Sequence, residues 1–317
     1  MKYATGAAFR AALEQRLSNE HQQTSIPSSR LRKLVVFDRL LARLLAIAPD
    51  RWVLKGAMAL YYRAGTWARP TKDVDLSYLA DEPAATTDLI AVQALELGDF
   101  FNFVIEKVPP GEGADDQNLV RFHVRAELGG RLFEEITMDV SFSDPLRWKP
   151  DYRRGSQLLK FAGIEPIEVP VVSLEQQVAE KLHAYTRAYG SGRPSTRVKD
   201  LVDLVLVSRS ERLDADRLRE AIRVTFETRK RQPIPKAMPR PQADWPTAYR
   251  RLATEVVGSP KPPPFSTRCW QVPRVTGIRP VVFGCRRKMI TDIDLIAAIL
   301  VRRIMSRPET IASPRLR

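Results

Sequence analysis

The chain has 317 residues, 44% apolar and 28% charged, with a formal net charge of +14. This is the composition of an ordinary globular protein, long enough for one large or two modest hydrophobic cores. Two cysteines and three scattered histidines exclude a disulfide framework and a four-cysteine zinc site. No apolar run approaches the ~18 residues of a membrane span, and the first residues lack a signal-peptide core, so a cytoplasmic protein is expected. The positive charge is uneven. Residues 259–317 hold twelve Lys and Arg against three Asp and Glu, a net +9, which leaves +5 for the rest. Such a tail is suited to RNA or another polyanion, or to a solvated extension.

Phe9–Leu17 carries a short helical pattern. Arg30–Ile47 carries a stronger one, with Leu31, Leu34, Val35, Leu41, Leu44 and Leu45 at helical spacing. Ser28 or Ser29 is placed to cap it, and Pro49 follows its end. This helix is expected to pack behind a sheet. Next comes the apolar run Trp52–Leu54, then Lys55-Gly56-Ala57, then Met58–Tyr62 as the start of a helix. A glycine at a strand-to-helix turn permits close approach of a phosphate, and the helix N-terminus attracts it.

In Asp73–Ser77 the apolar Val74 and Leu76 alternate with Asp73, Asp75 and Ser77. Period-two alternation predicts a half-buried strand, with both carboxylates on one face. Two charges ~4 Å apart at an effective dielectric of ~20 repel by about 4 kcal/mol. A hard divalent cation with oxygen ligands relieves that repulsion. The stretch therefore combines a phosphate cradle with a metal-binding pair.

Asp81-Glu82-Pro83 reads as a turn and Ala84–Leu97 as a helix stopped by Gly98. Phe100–Val108 reads as a strand and Pro109–Asp116 as a loop. Asn118–Leu128 and Arg131–Phe142 form a hairpin about Gly129-Gly130. On its second strand Ile136, Met138, Val140 and Phe142 share one face, and Glu135, Thr137, Asp139 and Ser141 the other. Ser143–Pro170 is expected to be irregular, with a short extended segment at Ile164–Val169. Ser173-x-x-Gln176 is a capping box that opens a helix running to Gly190. Its core stripe is Leu174, Val178, Leu182 and Tyr185, with Lys181 outside it. After the loop Gly190–Pro194, Ser195 or Thr196 caps a helix through Ser208, in which Lys199 and Asp203, and Asp200 and Asp203, have same-face spacings. Asp214–Thr228 and Trp245–Val257 are further helices, separated by the basic, proline-rich Lys230–Pro241. Pro260–Pro264 holds four prolines, and Thr291–Met305 has the pattern of a basic amphipathic helix.

Five strings carry a resemblance. They are LKGAMAL at Leu54–Leu60, RPTKDVDL at Arg69–Leu76, DVSFSDP from Asp139, AEKL at Ala179–Leu182, and RVKDLVDL at Arg197–Leu204. Together they resemble the AbiEii/AbiGii-type toxin family, within the DNA polymerase β-type nucleotidyltransferase superfamily, over about residues 30 to 257. Gly56-Ala57 stands where that family usually has Gly-Gly. The resemblance implies an α+β fold: a mixed sheet flanked by helices, followed by a helical C-terminal part. The expected domains are 1–165 (nucleotidyltransferase-like), 166–257 (helical) and 258–317 (basic tail).

The implied activity is transfer of a nucleoside monophosphate from an NTP to an acceptor, tRNA in some members, which blocks translation, with a cognate antitoxin as restraint. Phage defence is the implied setting. Two Mg²⁺ ions are implied, held by Asp73, Asp75 and Asp139, with Glu135 and Asp144 as weaker candidates for the third carboxylate. Lys55, Gly56, Ala57, Arg69, Thr71 and Lys181 are the implied nucleotide-binding residues. Asp200 or Asp203 is implied as general base, the choice left open. Two other readings fit the residues: the same chemistry on a protein or small-molecule hydroxyl, and a nucleotide- or RNA-binding module without catalysis.

Overall fold

The computed structural model describes residues 1–65, 68–109, 119–142, 148–187, 197–210, 213–229, 232–235, 239, 241 and 245–254. The chain divides into two compact units, Met1–Ser173 and Leu174–Arg317.

The first unit contains α1 (Gly6–Thr24), α2 (Ser28–Ile47), β1 (Trp52–Lys55), α3 (Gly56–Ala64), β2 (Asp73–Tyr78) and α4 (Glu82–Ala94). It continues with β3 (Phe101–Lys107), β4 (Leu119–Leu128), β5 (Arg131–Ser141), β6 (Asp151–Arg154) and β7 (Glu168–Val171). The strands make one seven-stranded sheet in the order β3-β4-β5-β2-β1-β7-β6, with β2 at its centre. The pairs β2/β5 and β1/β7 are parallel and the others antiparallel. The sheet is thus mixed and the class α+β, as expected.

The alternation in β2 behaves as its sequence predicts. Val74 and Leu76 are buried, while Asp73 and Asp75 stay partly accessible on the opposite face. Likewise Val120, Phe122 and Val124 of β4 and Ile136, Met138 and Val140 of β5 form one buried face. Gly129 and Gly130 both have positive φ, 60° and 76°, as a tight two-residue hairpin turn requires. The second helix packs on α4 and β5, so the expected place behind the sheet is correct.

Several boundaries differ from expectation. The first helix is longer than its apolar stripe, because Thr5 caps it by accepting from the Ala8 amide. Pro27, not a serine, is the N-cap of α2, and no side chain caps that end. The fourth helix begins at Glu82, in the expected turn: Asp81 caps it, and Pro83 fits its first turn. It ends at Ala94, well before Gly98. Two short strands, β6 and β7, occupy a stretch expected to be largely irregular.

A buried charge cluster holds α2 to the start of β3. Arg39 Nε donates to Asp99 Oδ2 at 2.7 Å, and Arg43 Nη2 to Asp99 Oδ1 at 2.7 Å. Arg43 Nη2 also donates to the Phe101 carbonyl at 2.7 Å, and Asp99 Oδ1 accepts from the Phe101 amide at 3.1 Å. Burial by itself would raise the Asp99 pKa. The Arg43 hydrogen bond and the charges of Arg39 and Arg43 outweigh it and hold the carboxyl below its ordinary value. Asp38 behaves in the opposite way. Burial pushes its pKa up to about 6, against the neighbouring Arg39. Its Oδ1 has no hydrogen-bond partner among the described residues.

The second unit contains α5 (Leu174–Thr186), α6 (Val198–Ser210), α7 (Ala215–Arg229) and α8 (Trp245–Thr254). The fifth helix packs on α6 and α7, and α6 on α8. The expected core stripe of Leu174, Val178, Leu182 and Tyr185 is buried. Helix α5 ends at Thr186, short of the expected stop at Gly190. Asp214 caps α7, accepting from the amides of Asp216 and Arg217 at 3.0 and 2.8 Å. The loop 190–194, the caps at 195–196 and everything from 255 onward, including the amphipathic pattern at 291–305, lie outside the described residues.

The two buried carboxyls give opposite pH signatures. Asp38, raised in the fold, favours the folded state while protonated, and that stability is lost as pH rises from the ordinary 3.8 through about 6. Asp38→Asn should therefore flatten the fall in urea-unfolding stability across that window. Asp99→Ala should leave two buried arginines without their carboxylate and cost about 3–5 kcal/mol at neutral pH in the same measurement.

Candidate active site

The site begins where β1 turns into α3. Gly56 opens the helix with φ +65°, in the left-handed region that favours glycine. Antiparallel pairing of β1 with β2 sets Lys55 opposite Asp75. The Asp75 carboxylate consequently lies against the turn. A Cβ on Gly56 would fall 1.9 Å from Asp75 Oδ2 and 2.6 Å from its Cγ. Gly56 and the second aspartate are thus in direct contact.

Asp75 is in turn opposite Asp139 in the parallel β2/β5 pair, and Asp139 is opposite Arg121 in the antiparallel β5/β4 pair. Lys55, Asp75, Asp139 and Arg121 therefore form one row across four strands, in the charge order plus, minus, minus, plus. Partners across a ladder share a face, so all four lie on the same side of the sheet. At one end Lys55 Nζ donates to Ser141 Oγ at 2.6 Å. At the other, Arg121 grips Asp139 with both prongs: Nε to Oδ1 and Nη2 to Oδ2, each 2.8 Å. Hydrogen bonding to Asp139 and its charge, then the charges of Asp73 and Asp75, raise the Arg121 pKa above its ordinary value. Asp73 lies two residues before Asp75 on the same face, opposite Thr137.

The other expected residues of this unit fall around that row. Thr71 Oγ1 donates to the Asp73 carbonyl at 3.0 Å and accepts from its amide at 3.3 Å, which fixes the entry into β2. Arg69 is largely buried and donates to the Pro70 carbonyl at 3.3 Å. Ala57 is buried in the first turn of α3. Glu135 lies 3.4 Å from Arg125 and 3.7 Å from His123, further along β5. Asp144 lies outside the described residues.

The donor set of Asp73, Asp75 and Asp139 is all oxygen, on one face, beside a turn that no side chain larger than hydrogen can fill. That chemistry fits a hard divalent cation with phosphate ligands. Among the described residues no three carboxylate, imidazole or thiolate groups converge as an ion would require. Both Asp139 oxygens are taken by Arg121.

In the second unit Lys181 was expected outside the core stripe, yet it is buried, because α5 is covered on several sides. Lys181 Nζ donates to Asp203 Oδ2 at 2.6 Å and lies 3.5 Å from Asp200 Oδ1. Asp203 is fully buried, and Asp200 is also 3.6 Å from Arg197. Lys181, Asp200 and Asp203, drawn from two separate motifs, thus come together within this unit.

The sequence matches the family model of the nucleotidyl transferase AbiEii toxin of type IV toxin–antitoxin systems over residues 39–269. The chain belongs to the AbiEii toxin family. Among solved structures it is similar to MenT4, a nucleotidyltransferase toxin from Mycobacterium tuberculosis H37Rv, at 22% identity over 77% of this chain and 89% of that one, with a TM-score of 0.52. This likeness shows a shared fold. JHP933 from Helicobacter pylori aligns at 18% identity over 62% of this chain and 75% of its own, with a TM-score of 0.38. A comparison with curated proteins returns no match.

For an AbiEii nucleotidyltransferase, two functional-looking residues escaped sequence reasoning: Arg121 and Ser141. Arg121 had a legible signal. A two-residue turn at Gly129-Gly130 pairs Leu128 with Arg131, and an unbroken ladder from there would set Arg121 opposite Met138. That register would also place Phe122 opposite Thr137, mixing the apolar and polar faces. A bulge at Ala126/Glu127 shifts the pairing by one residue and restores both faces, so Arg121 meets Asp139.

Gly56→Ala should be more destabilising than Gly98→Ala. Gly98 shares the positive φ of +65° but has nothing within 4 Å of a Cβ, so it isolates the backbone cost of about 1–2 kcal/mol. The excess at Gly56, read by chemical denaturation, should shrink in the Gly56→Ala/Asp75→Ala double variant. Lys181→Met should cost about 3–5 kcal/mol by stranding a buried carboxylate, and Lys181→Met/Asp203→Leu should recover much of it.

Proposed function

We propose that this AbiEii toxin transfers a nucleoside monophosphate from an NTP to tRNA, with magnesium as the required cation and a cognate antitoxin as its restraint. One observation carries the reading. Asp75, on the central strand beside Asp73, presses its carboxylate against the Gly56 turn, so metal-binding and phosphate-approaching chemistry fall within one contact.

In the reaction, an acceptor hydroxyl attacks the α-phosphorus of the NTP. A new P–O bond forms, the bond to the bridging oxygen breaks, and pyrophosphate leaves. Bound Mg²⁺ supplies charge stabilisation at the attacking and leaving oxygens. Asp73 and Asp75 hold the cation, and Asp139 is the third ligand. Gly56 makes room for the Asp75 carboxylate, and the backbone amides at the N-terminus of α3 beside it would receive phosphate. Lys55 adds positive charge beside the carboxylates. Thr71 acts through the main chain of Asp73, and buried Arg69 braces the same approach to β2. The family motifs give Lys181 a role in neutralising phosphate charge, and Asp200 or Asp203 the role of general base. Lys181 contacts both carboxylates, and the shorter contact favours Asp203 as its working partner. A net charge of +14 suits a polyanionic acceptor such as tRNA.

The test is label transfer with the full-length protein. Incubation with each α-labelled NTP, Mg²⁺ and total tRNA should label tRNA from one preferred nucleotide. Asp73→Ala and Asp75→Ala should each reduce labelling by at least about 10²-fold, the scale of losing a principal electrostatic group. EDTA should abolish it. Labelling that survives both aspartate substitutions would overturn the assignment, and label on another acceptor would replace tRNA.

A further inference from the structure

The carboxylate row contains a cation that the proposed mechanism does not use. Arg121 holds both oxygens of Asp139 at 2.8 Å, so a metal at that carboxylate would have to share each oxygen with the guanidinium, against its charge, or displace it. The two partners differ in exposure. The Arg121 side chain is 55% accessible and that of Asp139 is 11%. A guanidinium over half in water can swing away without burying its own charge, but the buried carboxylate it leaves, fixed between β2 and β4, then needs another cation. The contrast with Arg39 and Arg43 is direct: those side chains are at most 5% accessible and cannot leave Asp99 without burying it unpaired.

We propose that Arg121 is a resident counter-ion of the metal site, competing with the divalent cation for Asp139. It offsets the repulsion among Asp73, Asp75 and Asp139 while no metal is bound, and it weakens metal binding in the absence of nucleotide. Entry of the cation exchanges the guanidinium for the metal at Asp139. The site therefore loads most readily when nucleotide phosphates arrive with the metal and add ligands that the arginine cannot supply. The inference rests on the assignment of Asp73, Asp75 and Asp139 as the cation-binding set.

The experiment uses the full chain and Mn²⁺ as probe, with two readouts that do not depend on turnover. Free Mn²⁺ is titrated by electron paramagnetic resonance, and the Mn²⁺-induced rise in melting temperature is recorded against EDTA. Removing a unit charge at contact distance, discounted for solvent screening, should tighten Mn²⁺ binding about tenfold in Arg121→Met. The same variant should melt lower than wild type in EDTA and gain more from Mn²⁺. Arg121→Lys, which keeps the charge without the fork, should fall between the two and serves if Arg121→Met does not fold. Adding Asp139→Asn to Arg121→Met should erase the gain. Unchanged Mn²⁺ affinity in Arg121→Met and Arg121→Lys, with binding still dependent on Asp73 and Asp75, would overturn the role of Arg121 and leave the site assignment intact. Mn²⁺ binding indifferent to Asp73 and Asp75, with or without nucleotide, would instead overturn the site assignment.

Discussion

The contact between Gly56 and Asp75 is the constraint on which the rest of the site depends. It is set by backbone register, not by side-chain choice. Once β1 and β2 pair with Lys55 opposite Asp75, the carboxylate occupies the volume a Cβ would need at residue 56. The positive φ of Gly56 then lets β1 turn directly into α3, without an intervening loop. Position 57 carries no such demand. Ala57 is an ordinary buried residue in the first turn of the helix, so the departure from Gly-Gly leaves the close approach at Gly56 intact.

Burial divides the ion pairs of this chain by what each can do. The Arg39–Asp99–Arg43 cluster is sealed, and its carboxyl is held ionised against the desolvation that acts on it. Its role is to fasten α2 to β3. Breaking it strands charges, which is why such clusters are strongly coupled to folding even where they add little net stability. Lys181 with Asp203 is equally buried, and its carboxylates come from a motif on another helix, so this pair ties α5 to α6. Asp139 with Arg121 is different, because one partner faces water. Of the three it is the pair whose cation is itself in contact with solvent.

Much of this was legible in the sequence where one physical rule acts alone. The alternation through Asp73–Ser77 places both carboxylates on one face because strand periodicity is two, and the sheet obeys it. The hairpin about Gly129-Gly130 was legible because only a tight turn wants two consecutive residues at positive φ. Failures came where rules compete. Asp81-Glu82-Pro83 looks like a turn by composition, but an aspartate followed by glutamate and proline is also a helix start, and the apolar residues beyond it decide the matter. Burial of Lys181 is not legible in the sequence, because helix α5 buries Glu175, Gln176, Gln177, Lys181 and His183 along with its apolar stripe, and periodicity alone does not show that its polar side is covered. Strand β6 has four residues with no buried member, and nothing local distinguishes it from loop.

The bulge in the β4/β5 hairpin joins the hydrophobic pattern to the charge pattern. The turn alone imposes a register of the wrong parity, in which apolar residues of one strand would sit opposite polar residues of the other. The core therefore requires one extra residue on β5, and the ladder breaks between Ala126 and Glu127 to admit it. The same shift moves Arg121 from Met138 to Asp139, and Arg125 to Glu135. Positive residues of β4 then face negative residues of β5 at both positions, on the side of the sheet that carries Asp73 and Asp75. Burial of Phe122 and Val124 and neutralisation of Asp139 thus specify one register. The arginine that attends the third carboxylate is there because the hydrophobic face cannot be closed any other way.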